Sequence, residues 1–132
     1  MISILPLKDP TRAGQILKST PGAEDNARIL LMREGADELG YIAVDLKSST
    51  IRMLKMEVFG CKDFSESDGN SRMCADSLMR AAASFGAAVG AYQMESKIAD
   101  WEPFFQSAGF TPKNGKMVCP LSNFVKICHH NE

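Results

Sequence analysis

Three apolar runs between residues 28 and 58 constrain the fold of this chain more than any other feature. They cover residues 28–33, 39–44 and 51–58, and only five or six residues separate each run from the next. Spacers of that length can form turns, but they are too short to hold a helix between strands. The three runs are therefore predicted to form an antiparallel meander.

Signals on either side of the meander complete the order of elements. Residues 2–7 alternate apolar side chains and lead to Asp9 and Pro10, which suit the cap and the first position of a helix. Gly109 ends a short aromatic helix, and Asn114-Gly115 marks the turn of a final hairpin. The predicted order is β-α-β-β-β-α-β-α-β-β, an α+β fold with a mixed, mostly antiparallel sheet.

The longest helix is predicted over residues 75–89. Apolar side chains repeat there at steps of three and four, as on one face of a helix. We expect three of them, Leu78, Ala82 and Phe85, to be buried against the sheet. Residues 59–71, before this helix, are rich in glycine, serine and acids without a sustained period, and they are predicted to form a long loop.

Size and charge fit a single cytoplasmic domain over residues 1–132. With 45% hydrophobic and 23% charged residues, the chain can bury one core. Its formal net charge of -1 predicts no basic surface for nucleic acid or an anionic membrane. No apolar stretch approaches the roughly 20 residues that cross a bilayer, and the N-terminus lacks the basic residues of a signal peptide. We therefore expect neither nucleic acid nor membrane as a partner.

The cysteines and histidines predict neither a metal site nor a nucleophilic triad. The four cysteines contain no Cys-x-x-Cys pair, and in a reducing compartment we expect them to be free thiols. The two histidines both lie in the Cys128-His129-His130 segment near the C-terminus. Adjacent side chains of an extended segment point apart, so this segment is a poor candidate for metal binding.

The order of elements resembles that of the GNAT superfamily of N-acetyltransferases over nearly the whole chain. Residues 39–44 are similar to the family's third strand, and residues 104–110 (Phe-Phe-Gln-Ser-Ala-Gly-Phe) to its Phe-Tyr-x-x-x-Gly-Phe segment. The resemblance implies a three-layer α/β arrangement and transfer of an acetyl or other acyl group from acetyl-CoA. The acceptor would be an amine of a small molecule or peptide. A homodimer is compatible with the resemblance, and no metal is implied.

The resemblance places the thioester and pantetheine arm of acetyl-CoA in a gap between the fourth and fifth strands, and its pyrophosphate at the start of the long helix. On the strand it implies contacts from Met56 and Val58, in a groove between residues 56–58 and 92–95. At the helix, the family's Gln/Arg-x-x-Gly-x-Gly/Ala loop binds pyrophosphate through backbone N–H groups. The cofactor-binding residues matched to that loop are Asn70, Arg72, Met73, Cys74 and Ala75.

Three positions of this chain depart from the family's pattern. Asn70 stands where the family has Gln or Arg, and it offers a shorter amide in place of a longer amide or a cation. Met73 stands where the family has a glycine that lets a phosphate approach the backbone. Phe105 stands where many members have a tyrosine that protonates the leaving thiolate, and phenylalanine has no such proton. The resemblance leaves Glu57 as the first candidate catalytic base and Glu95 as the second.

Two functions follow from the resemblance and its departures. Asp63, Glu66 and Asp68 place negative charge beside the expected phosphate site, where it would repel a polyanion. The chain is expected to be either an N-acyltransferase or a catalytically inactive binding or assembly module with a decayed CoA groove.

Overall fold

The computed structural model describes residues 1–125 as seven strands and three α-helices. The helices are α1 (Pro10–Lys18), α2 (Gly69–Ala88) and α3 (Glu102–Ser107). The strands are β1 (Ile2–Pro6), β2 (Arg28–Glu34), β3 (Asp37–Lys47), β4 (Thr50–Val58), β5 (Gln93–Ser96), β6 (Thr111–Lys113) and β7 (Lys116–Pro120). This order of elements confirms the prediction.

The seven strands form one sheet in the order β1-β2-β3-β4-β5-β7-β6. Strands β1 to β4 pair antiparallel, as do β5 with β7 and β7 with β6, whereas β4 and β5 pair parallel. A parallel pair needs a crossover connection, which α2 provides. Ser48 and Ser49 have φ angles of 52° and 63° and form the two-residue turn of the β3–β4 hairpin. The predicted mixed, mostly antiparallel sheet is confirmed.

Helices cover both faces of the sheet and complete the three layers. On one face, α2 buries Leu78 and Ala82 in the main core, as predicted. Phe85 is only half-buried. The buried side of α2 is centred on Ala75, Ala82 and Gly86, so Phe85 lies near its margin. On the other face, α1 packs on a smaller cluster formed by Ile29, Leu31, Tyr41 and Ala43.

The start of α2 differs from the prediction. A loop is predicted over residues 59–71, but the helix begins at Gly69. The Asp68 carboxylate accepts a hydrogen bond from the Ser71 N–H at 2.9 Å, and Ser71 Oγ accepts one from the Asp68 N–H at 2.8 Å. This reciprocal capping box satisfies two backbone donors and stabilises a helix start in a loop-like composition. None of the helices within residues 1–125 is long and apolar enough to cross a membrane.

Candidate functional site

Strand β4 separates from β5 about halfway along its length. The parallel pairing runs from Thr50 beside Gln93 to Met53 beside Ser96, while β4 continues to Val58. At this level β4 holds one extra residue, Leu54, within its ladder to β3. A bulge of this kind bends a strand and increases its local twist. The bulge and the end of the pairing coincide with a gap beside residues 54–58.

The wall that faces this gap differs from the predicted one. Residues 92–95 are predicted to face residues 56–58, but β5 pairs with the first half of β4 instead. Because the two strands are parallel, the residues that follow β5 lie beside the second half of β4. The predicted wall is therefore wrong, and Asp100, in the short 3-10 helix Ala99–Trp101, lines the gap.

Backbone groups of Met56 and Val58 are turned toward the gap. The Phe59 N–H donates to the Leu39 carbonyl at 3.0 Å, so these two residues form a hydrogen-bonded pair beyond the end of the β3–β4 ladder. Hydrogen-bonded and non-hydrogen-bonded pairs alternate along an antiparallel ladder. The N–H and C=O groups of Met56 and Val58 therefore point away from β3. The Val58 carbonyl accepts a hydrogen bond from the Cys61 N–H at 3.0 Å.

We call the gap the β4 groove, with a volume of about 370 Å³. Its charged side chains are two lysines, Lys55 and Lys62, and two carboxylates, Glu57 and Asp100. Its remaining lining residues are Met56, Val58, Gly60 and Cys61. The groove thus combines balanced charge with backbone hydrogen-bonding groups, which suits a ligand segment that is polar but carries no net charge.

Glu57, the first candidate base, lies at the β4 groove and is exposed. Its Oε2 accepts a hydrogen bond from the Tyr41 hydroxyl at 2.9 Å. Burial raises the pKa of Tyr41, and the hydrogen bond to Glu57 raises it further. Tyr41 therefore keeps its proton at neutral pH and orients the carboxylate as a hydrogen-bond donor.

Glu95, the second candidate base, lies at a different place on the sheet. Glu95 lies in β5 and pairs with Arg52, in the half of β4 that β5 contacts. Arg52 is five residues before Glu57 along β4. At roughly 3.3 Å per residue, the backbone positions of Arg52 and Glu57 lie about 16 Å apart along β4. Glu95 is buried and forms an ion pair of 2.7 Å with Lys116. The structure therefore does not bring Glu57 and Glu95 together around one substrate atom.

Some of the backbone donors at the start of α2 are already used within the chain. A helix leaves its first N–H groups without intrahelical partners, and these groups attract anions. Here the Asp68 carboxylate accepts a hydrogen bond from the Ser71 N–H, and the Arg72 N–H donates to the Asp68 carbonyl at 3.0 Å. Hydrogen bonds from Ser71 lower the pKa of Asp68, so its carboxylate stays charged. A carboxylate of the chain itself thus lies where pyrophosphate is expected.

The five residues matched to the pyrophosphate loop all lie within the first two turns of α2 and point in different directions. Asn70 and Met73 are exposed, whereas Cys74 and Ala75 are buried against the sheet. Burial raises the pKa of Cys74, whose Sγ lies 3.5 Å from the sulfur of Met32. From Arg72 onward the N–H groups bond to carbonyls of the preceding turn. The structure does not arrange these residues around one anion.

Arg72 is engaged by its neighbours. Its Nε donates to Ser67 Oγ at 2.7 Å, and its guanidinium lies 4.4 Å from the centre of the Phe64 ring. Phe64 also packs edge-on against Trp101, with 6.2 Å between ring centres. Phe64 therefore bridges α2 and the start of α3.

Phe105 is fully buried and packs between Phe104 and Phe110, with ring centres 5.4 and 5.2 Å away. This position supports the core and supplies no proton to the β4 groove.

No group of three or more His, Cys, Asp or Glu side chains within residues 1–125 is placed to hold a metal ion. Cys128, His129 and His130 lie outside the described residues. Cys61, Cys74 and Cys119 are free thiols.

Two site features were not identified from the sequence. The Asp68-x-x-Ser71 spacing is a recognisable capping signal, and it would have located both the start of α2 and the carboxylate at its end. The contact of Phe64 with Trp101 has no such signal, because it joins residues from distant parts of the chain.

Comparison with solved structures finds the same fold in N-acetyltransferases. The ribosomal-protein-S18-alanine N-acetyltransferase from Escherichia coli superposes with a TM-score of 0.63 at 10% identity, over 98% of this chain and 99% of that one. A GNAT-family protein from Desulfovibrio desulfuricans superposes with a TM-score of 0.61 at 13% identity, over 92% of this chain and 99% of that one.

The similar structures also include a toxin bound to the C-terminus of an antitoxin (TM-score 0.59) and a KacTA complex with DNA (TM-score 0.58). They match this chain at 14% and 15% identity, over 94% of it in each case and over 94% and 96% of their own chains. No family model and no curated protein sequence matches the chain. At identities this low the similarity concerns architecture, and the chain has the fold of the GNAT superfamily.

Proposed function

We propose that this chain is an N-acyltransferase that holds an acyl thioester in the β4 groove and transfers the acyl group to an amine. One observation carries the proposal: the bulge at Leu54 coincides with the end of β5 pairing and leaves backbone groups of Met56 and Val58 facing the groove. A bound extended segment can hydrogen-bond to such groups as an added strand does. The N-acetyltransferases that share the fold support this choice.

The transfer requires proximity, a polarised carbonyl and a base for the amine proton. The amine nitrogen attacks the thioester carbonyl carbon, a C–N bond forms, the C–S bond breaks, and the thiolate leaves. A backbone N–H of the groove stabilises the negative charge that develops on the carbonyl oxygen. Glu57 takes the proton that the amine loses, with Tyr41 holding its Oε2. The thiolate takes its proton from solvent, because Phe105 has none to give.

The thioester arm of acetyl-CoA fits this site, but its pyrophosphate does not. Its uncharged thioester arm suits the balanced charge of the β4 groove. Its pyrophosphate does not suit the start of α2, because Asp68 already accepts the Ser71 N–H there and would repel a phosphate. Arg72 is bound to Ser67 and Phe64. We therefore expect the arm to supply most of the donor's affinity and the nucleotide little.

The same contacts favour a second function, that of a catalytically inactive binding or assembly module. The Asp68 carboxylate lies at the N-terminus of α2, where an anion would bind. Phe64 packs between Arg72 and Trp101. In this second function the gap beside β4 is a remnant of a decayed CoA groove.

Calorimetric titration with acetyl-CoA and with acetyl-pantetheine, which lacks the nucleotide, separates the two functions. An acyltransferase of the proposed kind binds both donors with affinities within about threefold of each other. Asp68→Asn keeps a side chain that caps helices well but removes the charge. This change should raise the affinity for acetyl-CoA about fivefold and leave that for acetyl-pantetheine unchanged.

Asp25→Asn is the matched control, since Asp25 is exposed and lines none of the described cavities. Phe64→Ser opens the contact between α2 and α3. If neither donor binds to the unmodified chain, to Asp68→Asn or to Phe64→Ser, the acyltransferase proposal fails and the module takes its place. If both donors bind, Glu57→Gln should lower kcat with a simple amine acceptor and alter its pH profile.

A further inference from the structure

A cavity of about 510 Å³ lies on the other side of the turn at residues 58–61. It is bounded by the start of α2, the start of β1 and the adjoining ends of β2, β3 and β4. Its volume falls in the range typical of sites for small molecules. We call it the acidic cavity, and its lining includes Ile2, Met32, Glu34, Phe59, Glu66, Asp68 and Met73.

Apolar side chains form both the floor and the rim of the acidic cavity. Met32 lies on the floor and is buried. At the rim, Ile2 and Met73 are 47% and 59% exposed. Large apolar side chains left this exposed around one concave surface gain free energy when a ligand covers them.

The charged residues that line the cavity all have the same sign. They are Glu34, Glu66 and Asp68, and no lysine or arginine lines the cavity within residues 1–125. None of the three belongs to an ion pair in this part of the chain. Hydrogen bonds from Ser71 lower the pKa of Asp68, which keeps its charge at neutral pH.

Two arginines next to the cavity in sequence are engaged elsewhere. Arg33, next to Glu34, pairs with Glu38 at 3.4 Å. Arg72, next to Met73, donates to Ser67 and stacks on Phe64. Neither arginine therefore pairs with the carboxylates of the cavity.

We propose that the acidic cavity binds a small molecule that carries a cationic amine on an apolar stem. The stem covers the apolar floor and rim, and the ammonium group lies near Glu34 and Glu66. A neutral apolar ligand would gain only the apolar contact with the floor and rim, and the carboxylates would repel an anion. The proposal does not depend on acyl transfer, because the β4 groove shares only the residues of the turn with this cavity.

Three probes with the same eight-carbon stem test the charge preference at pH 7: n-octylamine, 1-octanol and octanoate. Calorimetric titration in low salt should give the highest affinity for n-octylamine, about tenfold above 1-octanol, with octanoate weakest. The preference for n-octylamine should shrink as salt rises from about 50 to 500 mM, because screening acts on the charged part alone.

The double variant Glu34→Gln with Glu66→Gln locates the site. It should lower the affinity for n-octylamine most of the way toward that for 1-octanol, while 1-octanol binding persists and reports a folded cavity. Asp68 is left unchanged because it caps α2. Asp25→Asn removes an exposed carboxylate outside the cavity and should have no effect. Equal affinities for n-octylamine and 1-octanol, no n-octylamine binding, or an unchanged preference in the double variant would each overturn the proposal.

Discussion

The β4 groove and the acidic cavity lie on opposite sides of one turn and share Val58, Gly60 and Cys61. The groove has two lysines and two carboxylates, and it gains backbone groups where β4 leaves β5. The cavity has three carboxylates and an apolar rim. The fold places both sites, but the side chains on each side of the turn decide which ligand chemistry each can bind.

The largest expected effect comes from Gly40→Ala, which disturbs both sites at once. Gly40 pairs with Val58, and an added Cβ would lie 2.5 Å from the Glu57 carbonyl oxygen and 3.3 Å from Val58 Cα. Because these atoms belong to the backbone, the β3–β4 ladder must shift. We expect the free energy of unfolding in urea to fall by about 3 kcal/mol.

Gly14→Ala is the matched control for this prediction. An added Cβ at Gly14 would meet no atom within 4 Å, and the residue lies inside α1. Alanine should stabilise this position by about 0.8 kcal/mol, since glycine is the weaker helix former. A Gly40→Ala chain as stable as the Gly14→Ala chain would contradict the close approach of β3 and β4 under the two sites.

Met73→Gly tests whether the start of α2 can become a phosphate site. Met73 is 59% exposed on α2, so glycine should lower the free energy of unfolding by about 1 kcal/mol through helix propensity. We expect no gain in acetyl-CoA affinity, even together with Asn70→Arg, because Asp68 still caps the helix. A tenfold gain in acetyl-CoA affinity, measured by calorimetric titration, would show that Asp68 does not prevent phosphate binding at the start of α2.

The smallest effect concerns the pH dependence of stability. Hydrogen bonds from Ser71 lower the pKa of Asp68 below that in the unfolded chain. The resulting stabilisation is present above the unfolded value of about 4 and is lost as pH falls through the lower folded value. Urea unfolding should therefore show the unmodified chain more stable than Asp68→Asn at pH 7, with the difference shrinking toward pH 3. A difference that does not change with pH would mean that the charge of Asp68 has no part in the cap.

Local spacing in the sequence was sufficient to predict the order of elements. The short spacers around residues 34–38 and 45–50 leave only hairpins between the apolar runs, and the structure confirms them. The wall of the gap could not be predicted in the same way, because the pairing of β4 with β5 ends at a bulge at Leu54 that has no local signal. The packing of Phe64 on Trp101 depends likewise on the assembled fold.

The parallel pairing of β4 with β5 also divides the sheet into two pieces of different folding character. Among the described strands this is the pair that runs parallel, and it consists of four residue pairs. We call it the parallel seam. On one side, the β1–β4 meander contains hairpins with short loops; on the other, β6 and β7 form a tight hairpin. Contacts between near neighbours in sequence form early, whereas the seam must wait for the whole of α2 to close its loop. In native-state hydrogen exchange, the β5 amide protons that donate to β4 should therefore be released by a partial opening at this seam, at a lower free energy than those in the centre of β3.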